Sequence, residues 1–469
     1  MGIFFCIIRF IFFQLENNKI NGALIKGALL SSFSTLILIL PCAGTESLLQ
    51  KDHMAKNIII IGGGIIGLST AYYLHQEGHQ VTVLDKSNMD HGASYVNAGY
   101  ITPSHIIPLA SPGMMAKGIK WMFNSSSPFY IKPRLDLDFL RWTWQFNASS
   151  TTAKVEKAIP LIKDINLLSK ELYSEIHQSG NLGDFQLEKR GLLMLYKTEK
   201  EGQHEREVTK RAQDEGLEAR ELTMTELQNL QPNLSPDVLG AVHYECDAHT
   251  TPEEIMGNLK KYLTVNGVII KTGEEVIDFD CNGSTISQVI TQKDSYPADE
   301  IVLATGSWSQ DIAKKLNLNI AVQPGKGYRI NVNRPTGVLI PAILMEAKVA
   351  VTPMKGFTRF AGTMELSGIN NKISKIRVNA IAKAASAYYE GLKITEEEQL
   401  KAQCGLRPVS PDGLPYIGRT SKWNNLTIAT GHAMMGWSLG PATGKLVSEI
   451  ITGTKLSMNI QGLAPERKL

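Results

Sequence analysis

The chain has 469 residues, with 48 lysines and arginines against 45 aspartates and glutamates, a formal net charge of +3. That length calls for two or three domains, and the near-balance of charge excludes nucleic acid as an obligatory partner. The five cysteines (Cys6, Cys42, Cys246, Cys281, Cys404) are odd in number, far apart and without a C-x-x-C pair. They argue against a disulfide framework or a zinc site and for a reducing compartment.

Two apolar runs, residues 1–13 and Ala28–Leu40, open the chain, and each is shorter than the roughly 18 to 20 residues of a bilayer-spanning helix. Met54 stands just before the first apolar strand, so residues 1–53 read as an extension from a mis-assigned start, outside the fold. Asn57 then leads into four isoleucines, a β-branched run suited to a strand buried on both faces. Gly62, Gly64 and Gly67 fit G-x-G-x-x-G: the first permits a tight turn, the second lets backbone approach a pyrophosphate, and the third lets a helix pack on the strand. That helix is expected over Leu68–Gln76, with its positive end toward the phosphates. The next strand, Val81–Leu84, ends in Asp85, placed to accept hydrogen bonds from a ribose. Strand, glycines, helix, strand and acid in this order indicate a dinucleotide site. The small residues that follow, Asp90–Ser94 and Asn97–Ile101, continue as a loop where a nicotinamide enzyme would more often begin a helix, and favour an extended cofactor lying against backbone.

Helical patterning runs from Leu135 to about Ser179, and Gly191–Tyr196 reads as a strand outside the nucleotide fold. Thr223–Leu230 and Thr251–Val265 read as helices, and Gly267–Lys271 as a strand preceding Glu274, Glu275 and Val276. Glu300–Trp308 is a buried strand ending in Thr305-Gly306, and Asn425–His432 repeats that shape. Gly436–Gly444 opens a C-terminal helix with free N–H groups. Between Met114 and Phe146, large apolar side chains (Met115, Trp121, Met122, Phe123, Phe129, Trp142, Trp144) alternate with Lys117, Lys120, Lys132 and Arg141, a composition that suits a membrane surface or, equally, a site cover.

Four stretches together, the fingerprint with Asp85, "GASYVNAGYITPSHIIPLASPGMMAKGIKWMF", "VQPGKGYRINV" and "CGLRPVSPDGLPYIGRTSKWNNLTIATGHAMMGWSLGPATGKLVSEIITG", resemble the D-amino-acid oxidase superfamily of FAD-dependent oxidoreductases, and within it the bacterial D-amino-acid dehydrogenases. The resemblance spans roughly 56–453 and implies an α/β fold: a Rossmann-like FAD domain of interleaved segments (54–135, 241–312, 396–469) and an antiparallel-sheet α+β substrate domain (136–240, 313–395). It implies FAD held by Gly62, Gly64, Ile66, Gly67, Asp85, Lys86, Ser94, Ala98, Gly99, Val276, Gly306, His432, Met435, Gly436, Trp437 and Ser438. It implies oxidative deamination of D-amino acids: hydride transfer to flavin N5 and hydrolysis of the imine to a 2-oxo acid and ammonia, with electrons passed to a quinone or other respiratory carrier. A D-hydroxyproline or other secondary-amine dehydrogenase, and a non-catalytic electron-relay subunit, are the alternatives.

A carboxylate is best met by an arginine fork, and the resemblance gives that role to Arg407; the residues alone favour a salt bridge supporting the Pro408 turn. Tyr328 could lend a hydroxyl to the same carboxylate, although an aromatic in a strand is more often packing. Met434 stands where some relatives carry an arginine, which disfavours glycine as substrate, and Cys404 reads as a buried thiol beside non-covalent FAD. The expected location is cytoplasmic, with peripheral contact at the inner face of the membrane.

Overall fold

The computed structural model describes residues 54–114, 127–134 and 136–469. The N-terminal extension therefore lies outside the described residues. So do Met115, Lys117, Lys120, Trp121, Met122 and Phe123 of the aromatic and basic stretch.

The isoleucine run forms the strand Asn57–Ile61, at the centre of a six-stranded sheet. Its neighbours are Gln80–Asp85 on one side and Glu300–Leu303 on the other, all parallel. Ile269–Thr272 extends one edge in parallel, and Leu426–Thr430 the other, with Tyr416–Arg419 closing that edge antiparallel. Strands far apart in sequence become neighbours because each returns through a helix or a whole inserted segment. The fingerprint helix begins at Ile65, three residues before the expected Leu68, because Gly64 already serves as its N-cap. It is apolar nearly all round and buried accordingly. The helix Gly440–Thr452 lies against it, and the approach is so close that a side chain at Gly444 would run into the Ser69 backbone.

The second large sheet has nine strands and is mostly antiparallel. Gln323–Val332 pairs with Phe357–Leu366 on one side and Gln403–Val409 on the other. Leu192–Tyr196 joins the same sheet beside Gly240–Tyr244, as its sequence position between the nucleotide segments suggested. Gln403–Val409, which the sequence grouped with the C-terminal nucleotide segment, belongs by its hydrogen bonds to this sheet. A three-stranded meander, Val276–Asn282, Thr285–Thr291 and Ser295–Pro297, stands apart from both.

The helical stretch divides into Leu137–Ser149 and Thr152–Ser179, because Thr151 turns the chain and caps the second helix through the Lys154 N–H. On the first of these, Phe139, Trp142 and Phe146 are core residues, whereas Leu137 and Trp144 are 84% and 70% exposed. Among the described residues no helix is long and apolar enough to cross a membrane.

Candidate active site

A cavity of about 2020 Å³ opens between the carboxyl ends of the parallel strands and the face of the nine-stranded sheet. That is about twice the upper range for a drug-sized ligand, room for a dinucleotide and a second small molecule.

Backbone builds its floor. Gly62 holds φ +108°, and a Cβ there would collide with the Ala304 carbonyl. Gly64 is open: a Cβ would meet only Ser94 Oγ, at 3.3 Å. Gly63 N donates to Asp85 Oδ2 at 2.7 Å, and Ile65 N donates to Ser94 Oγ at 3.0 Å. Asp85 Oδ1 accepts from Ser87 N and Oγ, which fixes the carboxylate at the end of its strand. Lys86 lies over the Trp308 ring, 4.1 Å from its centroid.

Of the residues assigned to the cofactor from sequence, Gly62, Gly64, Ile66, Asp85, Lys86, Ser94, Ala98, Val276, Gly306, His432, Met435, Gly436, Trp437 and Ser438 line this one cavity. Gly67 and Gly99 stand behind its wall instead. Gly67 lets the fingerprint helix close on the Gly62 carbonyl, and Gly99, at φ +79°, packs against the Thr250 carbonyl. The C-terminal stretch is tied in by side chains: Trp437 Nε1 donates to Thr250 Oγ1 at 2.9 Å, and Ser438 Oγ donates to Asn166 Oδ1 while accepting from Thr102 N. His432 Nε2 pairs with Thr443 Oγ1, but its buried Nδ1 has no partner among the described residues, and burial pulls the imidazole down to about 3, so it is neutral at pH 7.

Arg407 faces the cavity from the opposite wall. Its Nη1 donates to the Thr363 carbonyl at 2.7 Å, and no carboxylate among the described residues pairs with it. The salt bridge at Pro408 is therefore not found. Its position deep below the surface pulls the guanidinium down to about 10, still charged at pH 7. Tyr328 does not share this wall. It sits in the core behind the sheet, and its hydroxyl donates to Glu365 Oε2 at 2.7 Å, a carboxylate already paired with Lys326 and Arg377. The expectation that Tyr328 serves a substrate carboxylate is corrected by this placement: successive strand residues face opposite sides, and Gly327, not Tyr328, faces the cavity. Cys404 lines the cavity as a thiol that burial holds above its ordinary range, and Met434 lies at its wall half exposed.

One group escaped the sequence. Ser104 Oγ donates to the fully buried Asp247 Oδ2 at 2.6 Å and lies 3.1 Å from Nδ1 of His105, whose ring lines the cavity. Burial raises the Asp247 carboxyl to about 7. Nothing in the spacing of residues so distant in sequence signalled their contact.

A family described as FAD dependent oxidoreductase matches residues 57–450. The chain belongs to that family. Its relatives include D-amino acid dehydrogenase of Helicobacter pylori, 31% identical over 399 residues, covering 85% of this chain and 95% of the relative. D-amino acid dehydrogenase of Neisseria meningitidis serogroup C is 29% identical over 418 residues, covering 87% and 99%. The fold is shared with glycine oxidase from Geobacillus kaustophilus, at TM-score 0.71 and 20% identity over 88% of this chain and 100% of that one. It is also shared with FAD-bound L-alpha-glycerophosphate oxidase from Mycoplasma pneumoniae, at TM-score 0.65 and 18% identity over 88% and 99%.

As a member of the FAD dependent oxidoreductase family the chain uses FAD. The residues present fit it. The space above Gly64 is a cradle that any Cβ would invade, the helix N-terminus supplies a positive end for a pyrophosphate, and the unpartnered His432 Nδ1 is a buried polar atom in want of a partner.

Proposed function

We propose that the protein oxidatively deaminates D-amino acids, releasing a 2-oxo acid and ammonia and passing electrons to a quinone or another carrier. The observation that carries this reading is Arg407, a half-buried guanidinium on the cavity wall with one carbonyl partner and no counter-ion among the described residues. A partly desolvated cation gains from a partner, and a carboxylate-bearing substrate supplies one through a bidentate fork. Bound FAD would supply the acceptor for the Cα hydrogen and its electron pair. The protein's share is orientation: Arg407 holds the carboxylate on the cavity wall. The half-exposed, flexible Met434 favours a substrate with a side chain over glycine.

Anaerobic bleaching of the bound flavin by a panel of D-alanine, D-proline and D-hydroxyproline tests the class. Reduction by primary D-amino acids supports the proposal, reduction by the cyclic amines alone moves the assignment to a secondary-amine dehydrogenase, and no reduction by any of them indicates an electron-relay subunit. Arg407→Ala should cost about 2 to 5 kcal/mol of transition-state stabilisation with FAD content and Tm nearly unchanged, and Arg407→Lys should recover part of it.

A carrier dissolved in a bilayer requires a route to it. Leu137, Leu140 and Trp144 recur along one exposed side of a helix that also exposes Arg141, and this row supports peripheral contact with the membrane at its cytoplasmic face. Co-sedimentation with anionic vesicles should fall on the double change Leu140→Ser and Trp144→Ser; unchanged binding would remove this part of the reading.

A further inference from the structure

The wall that carries Arg407 contains a local irregularity. Where Gln323–Val332 pairs with Phe357–Leu366, Lys326 faces Glu365 and Tyr328 faces Gly362, so the single residue Gly327 stands opposite both Thr363 and Met364. This is a β-bulge, and Thr363 occupies it with φ +71°. The left-handed region is uncommon for any side chain and a genuine outlier for a β-branched one. Among the described residues the other non-glycine positions with positive φ are Met89, Asn317, Lys348 and Ala433, none of them β-branched.

The strained residue is the one whose carbonyl receives Arg407 Nη1 at 2.7 Å. Two further facts converge on the same guanidinium. Gln403–Val409 pairs with the other edge of the same strand, setting Arg407 opposite Gly325 and Gly405 opposite Gly327, so the arginine side chain reaches diagonally to Gly327. A Cβ at Gly327 would overlap Cζ, Nη1 and Nη2 of Arg407 together. The guanidinium therefore lies flat on bare backbone. An arginine side chain has many rotamers, and a fork is effective only if it is already oriented when the substrate arrives. A carboxylate partner would orient it but also neutralise it. A carbonyl orients it and leaves the full charge for the ligand.

We propose that Gly327 and Thr363 are positioning residues that form a seat for Arg407: the missing side chain makes the surface, and the bulge turns a carbonyl onto the guanidinium. The proposal rests on the reading of Arg407 as the carboxylate anchor. It implies that carboxylate affinity is set in part by two residues whose side chains need never touch the substrate.

The test uses the FAD-loaded protein and benzoate as a simple carboxylate probe, with binding followed by perturbation of the flavin spectrum beside KM and kcat for a D-amino acid. Gly327→Ala should weaken benzoate and raise KM by about tenfold or more, with FAD stoichiometry retained and kcat changed less. Thr363→Gly relieves the strained φ, so Tm should hold or rise, while the freedom glycine gives the bulge lets the carbonyl leave the guanidinium and benzoate binding weakens by several-fold. Made in an Arg407→Ala background, either change should have no further effect on benzoate, because the partner through which it acts is gone. If Gly327→Ala and Thr363→Gly bind benzoate like the unaltered protein while Arg407→Ala does not, the seat is overturned and the anchor stands. If Arg407→Ala itself binds benzoate normally, the anchor is overturned and the seat with it. Should Gly327→Ala fail to hold FAD, Thr363→Gly decides alone, since its backbone is eased by the substitution.

Discussion

Two walls of one cavity are made by opposite means. The edge of the parallel sheet is built from backbone: glycines, amides at a helix start and one short-range carboxylate, Asp85. The nine-stranded sheet turns mostly small and apolar residues to the cavity with Arg407 among them, and comparing Arg407 with Arg359 of the same sheet, which lies behind the lining, shows how the arrangement of partners separates structure from function. Arg359 is fully buried with a partner on every nitrogen: it donates to the carbonyls of Tyr95 and Asn97, to Asn331 Oδ1, and pairs with Glu253. Arg407 has one carbonyl. A buried arginine with a partner on each nitrogen is a tie-bar, whereas one with donors to spare facing a cavity is a receptor.

The sharpest way to break this contrast is at the backbone-built wall. Gly64→Val fills the cradle, so the purified protein should lose essentially all FAD by absorbance; a fully yellow variant would refute the assignment of that wall. Asp85→Ala should weaken retention less, since its contribution is hydrogen bonds alone. Behind the opposite wall, Arg359→Met should cost about 3 to 5 kcal/mol in denaturant unfolding and loosen the loop at Tyr95–Asn97, because it strands three acceptors and leaves Glu253 with only the more distant Arg329. If Arg407→Ala destabilised as much as Arg359→Met, the distinction between tie-bar and receptor would fail.

Titration separates the walls further. Asp247 carries a carboxyl held near 7 when folded against an ordinary value of 3.8, so the folded state binds the extra proton between those limits and stability declines as pH rises through that window. The difference in unfolding free energy between the native protein and Asp247→Asn should therefore shift in favour of the variant from pH 4 to pH 8, by at most about 4 kcal/mol. A pH-independent difference would show the carboxylate to be paid no desolvation cost. The smallest effect is expected for Tyr328→Phe: about 1 kcal/mol of stability for one hydrogen bond to Glu365, and no change in benzoate affinity.

The same contrast explains what could be read from the sequence. Gly62 to Asp85 lie within one strand–helix–strand unit, so their spacing alone brings them together, and most of the remaining residues assigned from the family motif around Arg407 and His432 line the same cavity. Tyr328 misled because a strand segment without its register does not say which alternate residues face the cavity, and the adjacent glycine was the informative position. The helix Glu199–Asp214, whose residues Lys200, Gln203 and His204 reach the cavity mouth, went unread because it is so polar that its apolar face is only a few residues wide. Ser104, His105 and Asp247 were invisible because their contact is made by the tertiary fold alone.

The close stacking of Gly444 on the Ser69 backbone bears on how the molecule is made. The fingerprint helix Ile65–Gln76 is apolar on nearly every side, and the helix that covers it, like the strand Leu426–Thr430 that completes its sheet, is synthesised hundreds of residues later. At translation speeds of about 5 to 20 residues per second, that surface stays uncovered on the ribosome for tens of seconds. The cavity that the first nucleotide segment begins is likewise completed only when residues 432–438, near the end of the chain, have been made.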